Sequence, residues 1–231
     1  MRIVVLTGAG ISAESGLATF RDADGLWEGH RPEDVATPEA FAADPEMVHR
    51  FYDERRAAVR RVQPNAAHRA LARLGALTGD DLYLVTQNID DLHERAGSRH
   101  VHHLHGEILK ALCAACGERH HWPGSLLGAG PCDACGNDML RPDVVWFGEV
   151  PYGMDDIHRV LFDCDLFVSI GTSGTVYPAA GFLHLAAANG ARTLELNLDP
   201  GWHSSDFDES RTGPATELVP AWVEETAAQL C

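Results

Sequence analysis

The chain has 231 residues, of which 45% are hydrophobic and 7% aromatic, and this composition indicates a folded domain and excludes a disordered one. Its formal net charge of -16 argues against direct nucleic-acid binding, because phosphates require a basic surface. No apolar run approaches the roughly 18 residues of a membrane span. The residues after Met1 do not follow a signal-peptide pattern, so we expect a cytoplasmic protein with reduced thiols and no membrane partner.

Four short apolar runs, each ending in small or polar residues, alternate with helical stretches. The runs cover residues 3–6, 82–85, 166–170 and 193–196. The helical stretches cover residues 11–17, 45–62, 65–77, 155–163, 178–189 and 214–229. This alternation predicts an α/β fold with a doubly wound, parallel, Rossmann-like sheet. Ligands bind such sheets at the carboxyl ends of the strands, where these polar residues lie.

Two segments interrupt this pattern, so we predict one catalytic domain over residues 1–231 that carries two insertions. The Rossmann-like core comprises about 1–20, 63–106 and 142–231. A helical insertion covers about 21–62, and a small zinc module covers about 107–141.

The module contains four cysteines in two pairs. Cys113 and Cys116 are separated by two residues, as are Cys132 and Cys135, and fifteen residues lie between the pairs. This spacing predicts one zinc ion per chain, and four thiolates leave no open position, so the metal is expected to be structural. Two disulfides are the alternative, which reduced thiols disfavour. A nucleic-acid-binding zinc ribbon is another, which the acidic charge disfavours.

A glycine-rich loop, Gly8-Ala9-Gly10, follows the first apolar run and opens a predicted helix, as in a phosphate-binding loop. A dehydrogenase would then need a second strand ending in Asp or Glu about 20 residues further on. Thr19-Phe20-Arg21 instead begins a loop, which disfavours hydride transfer.

Several motifs occur in the order of one known family. They are the segment from Gly8 to Gly16, Thr19-Phe20-Arg21, Gln87-Asn88-Ile89-Asp90, His105-Gly106, the four cysteines, Phe147-Gly148-Glu149, Gly171-Thr172-Ser173 and Asn197-Leu198-Asp199. Together they resemble the sirtuins, NAD-dependent protein deacylases, over nearly the whole chain. Two positions depart from the family pattern: Asp199 replaces the usual Glu, and Asp91 replaces a common Asn.

The resemblance implies that NAD is a consumed co-substrate and that acylated lysines of proteins or peptides are the partners. The products would be nicotinamide, deacylated lysine and 2'-O-acyl-ADP-ribose. His105 is the expected general base, because imidazole has a near-neutral pKa, and Asn88 is the second expected catalytic residue. The neighbouring His93, His100, His102 and His103 are expected to be structural or exposed.

The resemblance also implies the binding residues. For the cofactor they are Gly8, Ala9, Gly10, Ile11, Glu14, Thr19, Phe20, Arg21, Trp27, Gln87, Asn88, Ile89, Asp90, Gly171, Thr172, Ser173, Asn197, Leu198, Asp199 and Ala215. For the acyl peptide they are Ala36, Tyr52, Arg55, Val145, Phe147, Gly148 and Glu149. Phe20 and Arg21 would cover the nicotinamide, and residues 147–149 would pair with the peptide backbone as a strand. Residues 87–90 also fit a polar turn that caps a helix.

Tyr52 and Arg55 are three residues apart, so they share one face of a predicted helix. They resemble the Tyr-x-x-Arg pair of class III sirtuins, which accept succinyl and malonyl lysine, and Ala36 matches the small residue that widens their acyl pocket. On residue types alone, a solvated face is favoured instead, as expected for Arg56, Arg60 and Arg61.

We therefore predict a monomeric deacylase that removes acidic acyl groups and also acetyl. A mono-ADP-ribosyltransferase and a non-catalytic NAD or ADP-ribose binding protein remain alternatives.

Overall fold

The computed structural model describes residues 1–18, 27, 29–199, 201 and 203–230. The predicted cofactor-binding residues Thr19, Phe20 and Arg21 lie outside these ranges. Among the helices within them, none combines the length and the apolar character that crossing a bilayer would need.

The strands in chain order are β1 (Ile3–Thr7), β2 (Leu82–Thr86), β3 (Val101–His103), β4 (Gly106–Cys113), β5 (Arg119–His121), β6 (Leu140–Val144), β7 (Leu166–Ile170), β8 (Arg192–Asn197) and β9 (Glu209–Thr212). The helices are α1 (Gly10–Ala13), α2 (Pro32–Val35), α3 (Pro38–Ala43), α4 (Pro45–Arg61), α5 (Ala66–Thr78), α6 (Leu92–Arg95), α7 (Met154–Asp163), α8 (Phe182–Ala188) and α9 (Ala215–Leu230).

Six strands form a parallel sheet in the order β3-β2-β1-β7-β8-β9. This order confirms the predicted doubly wound fold, because the chain builds one half outward from β1 and then returns to build the other. Thr7 at the end of β1 pairs with Thr86 of β2 and with Ile170 of β7. The polar residues that follow these strands therefore meet at one edge of the sheet.

Both faces of the sheet are covered, so the central strands β1 and β7 are buried along their whole length. Val5 packs into a core cluster with Leu71 of α5 and Trp222 of α9. Val4, which points to the opposite face because strand side chains alternate, packs with Leu161 of α7 and with Phe182. The apolar runs without alternation are thus the mark of a sheet buried on two sides.

The helical insertion is dominated by α4. Its start is fixed by Asp44, whose side chain accepts from the Met47 N–H, and by Pro45 in the first turn. Arg56 lies on its buried face at 1% exposure, so the expectation of a solvated Arg56 is wrong. Its guanidinium donates to the Ile108 carbonyl and pairs with Asp53, which compensates the burial of the charge.

A second, three-stranded antiparallel sheet has the order β5-β4-β6. It connects to the main sheet through Gly106, whose φ is +82°. A Cβ there would lie 2.2 Å from the Asp143 carbonyl oxygen, so only glycine fits. The proposed division of the chain into core, insertion and module stays a prediction.

Some predicted elements differ in length. The helix expected over residues 11–17 ends at Ala13, and Gly16 then adopts a φ of +98°, which a helix cannot contain. The edge strands β3 and β9 were not predicted, because three or four residues give too short a pattern to recognise.

Candidate active site

A cleft of about 760 Å³ opens at the carboxyl ends of the parallel strands, and this volume is typical of small-molecule and cofactor sites. The predicted residues that line it include those of the glycine loop, residues 87–90, His105, Thr172, Ser173, residues 197–199 and Ala215. At the other end it is lined by Trp27, Ala36, Tyr52, Arg55, Val145 and residues 147–149. The sheet thus brings together residues that are far apart in sequence.

Ile11 is an exception among the predicted residues. Its side chain is fully buried in the core between the sheet, α5 and α9. The single turn of α1 directs Ile11 toward the sheet. The Ile11 side chain therefore belongs to the hydrophobic core and does not line the cleft.

The floor of the cleft depends on a close backbone approach between two loops. The Gly10 N–H donates to the Gly171 carbonyl at 2.8 Å. A Cβ on Gly8 would lie 2.7 Å from the Gly171 oxygen, and a Cβ on Gly10 would lie 2.7 Å from the Gly171 Cα. Side chains are therefore excluded at both positions, which leaves exposed backbone where a dinucleotide can approach.

Asn88 and Asp90 are held by a buried hydrogen-bond network. The Asn88 side-chain amide donates to the Gly8 carbonyl and to Ser12 Oγ, both at 3.1 Å. Ser12 Oγ donates to Asp90 at 3.0 Å, and the Leu92 N–H donates to the other Asp90 oxygen at 3.0 Å. Burial raises the pKa of the Asp90 carboxyl group. The Leu92 bond closes a turn before α6, whose N-cap residue is Asp91 and has no side-chain capping bond. The network fixes the Asn88 and Asp90 side chains in the cleft wall.

His105 has the geometry of a general base. Its Nδ1 lies 3.0 Å from the Gln87 carbonyl oxygen. Because a carbonyl only accepts, Nδ1 carries the proton of the neutral ring, and Nε2 is the basic nitrogen. Burial lowers the pKa of His105, since it disfavours the charged imidazolium, so the ring is neutral at physiological pH.

The other histidines of this region have structural partners or are exposed, as predicted. His103 is buried and lies 2.7 Å from Glu94. Burial alone would lower the pKa of His103, but the contacts with Glu94 and with the Asn88 carbonyl outweigh it, and the pKa is raised. His93 lies 3.0 Å from Thr7 Oγ1 in the core, and burial holds its pKa well below the usual value. His102 contacts the Tyr152 carbonyl, and His100 is exposed.

The residues predicted for the nucleotide are cross-linked around the cleft. Gln87 Nε2 donates to Thr172 Oγ1 at 3.0 Å, and Asn197 Nδ2 donates to the Thr172 carbonyl at 3.0 Å. Glu14 has a structural contact as well: its carboxylate accepts from the Thr216 N–H at 3.0 Å. It thereby ties the glycine loop to the start of α9, where Ala215 lines the cleft.

The far end of the cleft combines aromatic rings with a cation. Tyr52 is fully buried, and its hydroxyl accepts from Trp146 Nε1 at 2.9 Å. The Arg55 guanidinium lies 3.4 Å from the centre of the Phe51 ring and 5.7 Å from that of Trp27. Both side chains are on one face of α4, as the spacing predicted. Ala36 lies beside them, and its carbonyl accepts from the Phe147 N–H at 2.9 Å.

Residues 147–149 form a turn, and their expected pairing with a peptide backbone stays a prediction. The Glu149 N–H donates to the Trp146 carbonyl at 3.0 Å, and Gly148 has a φ of +90°, which extended strands do not contain. The Glu149 carboxylate accepts from Arg141 and from the Trp146 N–H, both at 2.8 Å. Glu149 therefore stabilises the turn at the edge of the cleft.

The four cysteines come together at the end of the small sheet. All four sulfurs lie within 4.8 Å of one another, with Cys113 and Cys135 at 3.7 Å and Cys116 and Cys132 at 3.9 Å. A tetrahedral Zn–S distance of about 2.3 Å places sulfurs about 3.8 Å apart. The thiols are free, and they fit a closed, structural zinc site.

Two contributors to the site were not predicted. Ser12 joins Asn88 to Asp90, and Trp146 positions the Tyr52 hydroxyl. Ser12 belongs to the glycine-loop motif, so its position was a usable signal. Trp146 contacts a residue 94 positions away, which no local pattern reveals.

A Rossmann-like sheet, a cleft at its switch point, a neutral histidine base and a tetrathiolate site together define a dinucleotide-dependent enzyme with a structural zinc. The sequence profile of the Sir2 family matches residues 8–178. A protein from Yersinia pestis named NAD-dependent protein deacylase is 57% identical over 226 residues, which cover 96% of this chain and 81% of the relative. A protein of the same name from Salmonella typhi is 55% identical over 227 residues, with coverages of 97% and 83%.

Solved structures agree. A Sir2 homologue in complex with NAD superimposes with a TM-score of 0.90 at 42% identity, over 100% of this chain and 91% of that one. A mutant Sir2 homologue in complex with ADP ribose gives a TM-score of 0.91 at 41% identity, over 99% and 93%. The chain belongs to the Sir2 family.

Proposed function

We propose that this Sir2-family enzyme removes acidic acyl groups, such as succinyl and malonyl, as well as acetyl, from protein lysines. The reaction class is NAD-dependent protein deacylation, as for the relatives named above. The acyl range is the new element. The observation that carries it is the presence of Arg55 and Tyr52 at the same end of one cleft that also holds His105.

Bound NAD would supply the ribose that accepts the acyl group. Residues of this chain would hold that ribose and accept a proton from it. Nε2 of His105 is the basic nitrogen, so it would take a proton from a ribose hydroxyl. Asn88 and Asp90, fixed by Ser12, would orient the ribose and the nicotinamide. The floor made by Gly8 and Gly10 would admit the phosphates.

Acidic acyl recognition is supported by the electrostatics of the far end. Tyr52 already accepts a hydrogen bond from Trp146, so its own O–H proton is directed elsewhere and can be donated to a carboxylate. Burial raises the pKa of Tyr52, which keeps that proton in place. Arg55 is permanently charged and offers several N–H donors, and its side chain is only 11% exposed. A carboxylate there would be neutralised where water is scarce.

The test compares two variants on succinyl and acetyl forms of the same peptide. Arg55→Met and Tyr52→Phe remove a charge and a hydroxyl while keeping most of the packing volume. A hydrogen bond to a charged group contributes about 1.5–3 kcal/mol. We therefore expect kcat/KM for the succinyl peptide to fall about 10- to 150-fold, and kcat/KM for the acetyl peptide to change by less than about threefold.

Arg61→Met is the matched control, because Arg61 ends the same helix and is exposed. It should leave both substrates unaffected. Equal losses on the two peptides in Arg55→Met and Tyr52→Phe would contradict carboxylate recognition, while leaving the deacylase activity in place.

A second measurement separates deacylation from the alternatives. Nicotinamide release from NAD should depend on the acyl peptide, and mass spectrometry of the products should detect the acyl group on ADP-ribose. Release that ignores the peptide would instead indicate ADP-ribosyl transfer. No release at all, with NAD still bound, would indicate a binding protein. The net charge of -16 supports protein rather than nucleic-acid substrates. Separately, we expect the enzyme to act as a monomer.

A further inference from the structure

Three potential metal ligands come together outside the cleft and outside the cysteine module. His184 is on α8, and His203 and Asp206 lie in the segment between β8 and β9. Their ligand atoms all lie within 4.8 Å of one another. Nδ1 of His203 is 3.1 Å from the Asp206 carboxylate, and the two imidazole rings are 5.8 Å apart between centroids.

This donor set is selective. Imidazole nitrogen suits zinc, cobalt, nickel and copper, whereas magnesium and calcium prefer oxygen ligands alone. Tetrahedral ligands about 2.0–2.1 Å from a metal ion are about 3.4 Å apart. His203 and Asp206, 3.1 Å apart, are within about 0.3 Å of that spacing. His184 is exposed, so rotation of its side chain can close the remaining gap.

We propose that His184, His203 and Asp206 form a second metal site, which binds a divalent transition-metal ion and leaves positions open for water. This second site differs from the cysteine site in its ligands and in how readily it exchanges its ion. The four thiolates enclose their ion, whereas two imidazoles and one carboxylate at the surface hold an ion that exchanges with solvent. Such a site is filled or emptied according to the metal supply.

The position of the site gives it a way to affect nucleotide binding. His203 lies against the loop that follows β7, since a Cβ on Gly174 would be 3.5 Å from the His203 ring. The adjoining Gly201 and Ser173 both line the cleft. An ion that ties His203 to α8 would therefore fix the β8–β9 segment beside Asp199. This coupling rests on the proposed use of NAD, but the metal site itself does not.

Cobalt binding tests the site directly on untagged, zinc-loaded protein. Wild type should bind one Co²⁺ in addition to the structural zinc, seen by equilibrium dialysis. Its visible spectrum should show weak ligand-field bands without the intense thiolate charge-transfer bands of a cysteine site. His184→Ala and His203→Ala should each weaken this binding at least tenfold.

His100→Ala is the control, because His100 is exposed and precedes β3, away from the site; it should bind cobalt as wild type does. No additional cobalt in wild type would overturn the proposal. Unchanged binding in a His184→Ala, His203→Ala double variant would do the same.

ADP-ribose titrations with and without Co²⁺ then test the coupling. We expect the wild-type Kd to differ by at least about fivefold between the two conditions, and the His184→Ala Kd to be the same in both. Equal wild-type values would overturn the coupling, although the dialysis result would still decide the site. Failure of ADP-ribose to bind under either condition would count against the proposed use of NAD and not against the metal ligands.

Discussion

The two ends of the cleft are built in different ways. The nucleotide end lies at the edge of the parallel sheet, where loops after β1, β2, β7 and β8 are joined by short hydrogen bonds. The far end, which we call the acyl end because the proposed function places the acyl group there, is assembled from α4, the segment around Ala36, and Trp146 after β6. Its aromatic residues pack against one another, Trp27 on Phe51 within the insertion and Tyr52 on Trp146 after β6.

In the proposed function, this difference separates the chemical step from the selection of the acyl group. The nucleotide end depends on a close approach to the Gly171 backbone that tolerates no side chain at Gly8 or Gly10. The proposed acyl selectivity depends instead on side chains, which would change the preferred substrate without changing the reaction. Changes at His105 should therefore affect every substrate equally, whereas changes at Arg55 should distinguish between substrates.

The largest effect is expected from His105→Ala. Loss of a positioned general base reduces rates about 100- to 10,000-fold, and succinyl and acetyl peptides should lose kcat/KM by the same factor. His100→Ala, at an exposed histidine, is the control and should be fully active. A loss restricted to one peptide would break the proposed separation of the two ends.

A smaller effect, on the free energy of unfolding, is expected from Asp53→Asn in the helix that carries the acyl end. Asp53 pairs with buried Arg56 and accepts from the backbone N–H groups of Leu126 and Leu127 in the zinc module. Removing one partner of a buried pair leaves an uncompensated charge and costs about 3–5 kcal/mol. Urea unfolding should show a free energy of unfolding lower by this amount.

Glu54→Gln is the matched control for Asp53→Asn, because Glu54 is the next residue and is 77% exposed. It should change the free energy of unfolding by less than about 0.5 kcal/mol. If the two variants unfold alike, α4 is not secured by the zinc module, and the acyl end is more independent than the structure indicates.

The smallest effect is a shift in pH dependence. Burial lowers the pKa of His105, so the basic form persists at lower pH than for an exposed imidazole. Activity should be lost as pH falls through that lowered value, with the midpoint of the acid limb of kcat/KM below 6.5. The ratio of succinyl to acetyl activity should stay constant between about pH 5.5 and 8, since Arg and carboxylate are both charged there. A midpoint above 6.5, or a ratio that changes with His105 ionisation, would contradict this interpretation.

The sequence by itself determined the parallel sheet, the cleft at its carboxyl edge and the cysteine cluster. It could do so because buried strands, glycine loops and paired CxxC turns are local patterns with few structural solutions. The register of β1 between β2 and β7, together with the pairing of β3 on β2, then placed Asn88, His105 and Gly171 around one cleft, as expected. Thr19, Phe20 and Arg21 stay predictions outside the described residues.

Only the tertiary structure decided which side of α4 is buried, how residues 147–149 turn, and that Trp146 holds the Tyr52 hydroxyl. Arg56 and Arg60 look alike in sequence, yet Arg56 is buried against Ile108 while Arg60 is exposed. His184 of α8 and His203, which is 19 positions further along the chain, likewise meet only through tertiary packing. The physical reason is the same in each case. Contacts between distant segments depend on how the elements pack, and the local sequence pattern of one segment does not identify the segment that packs against it.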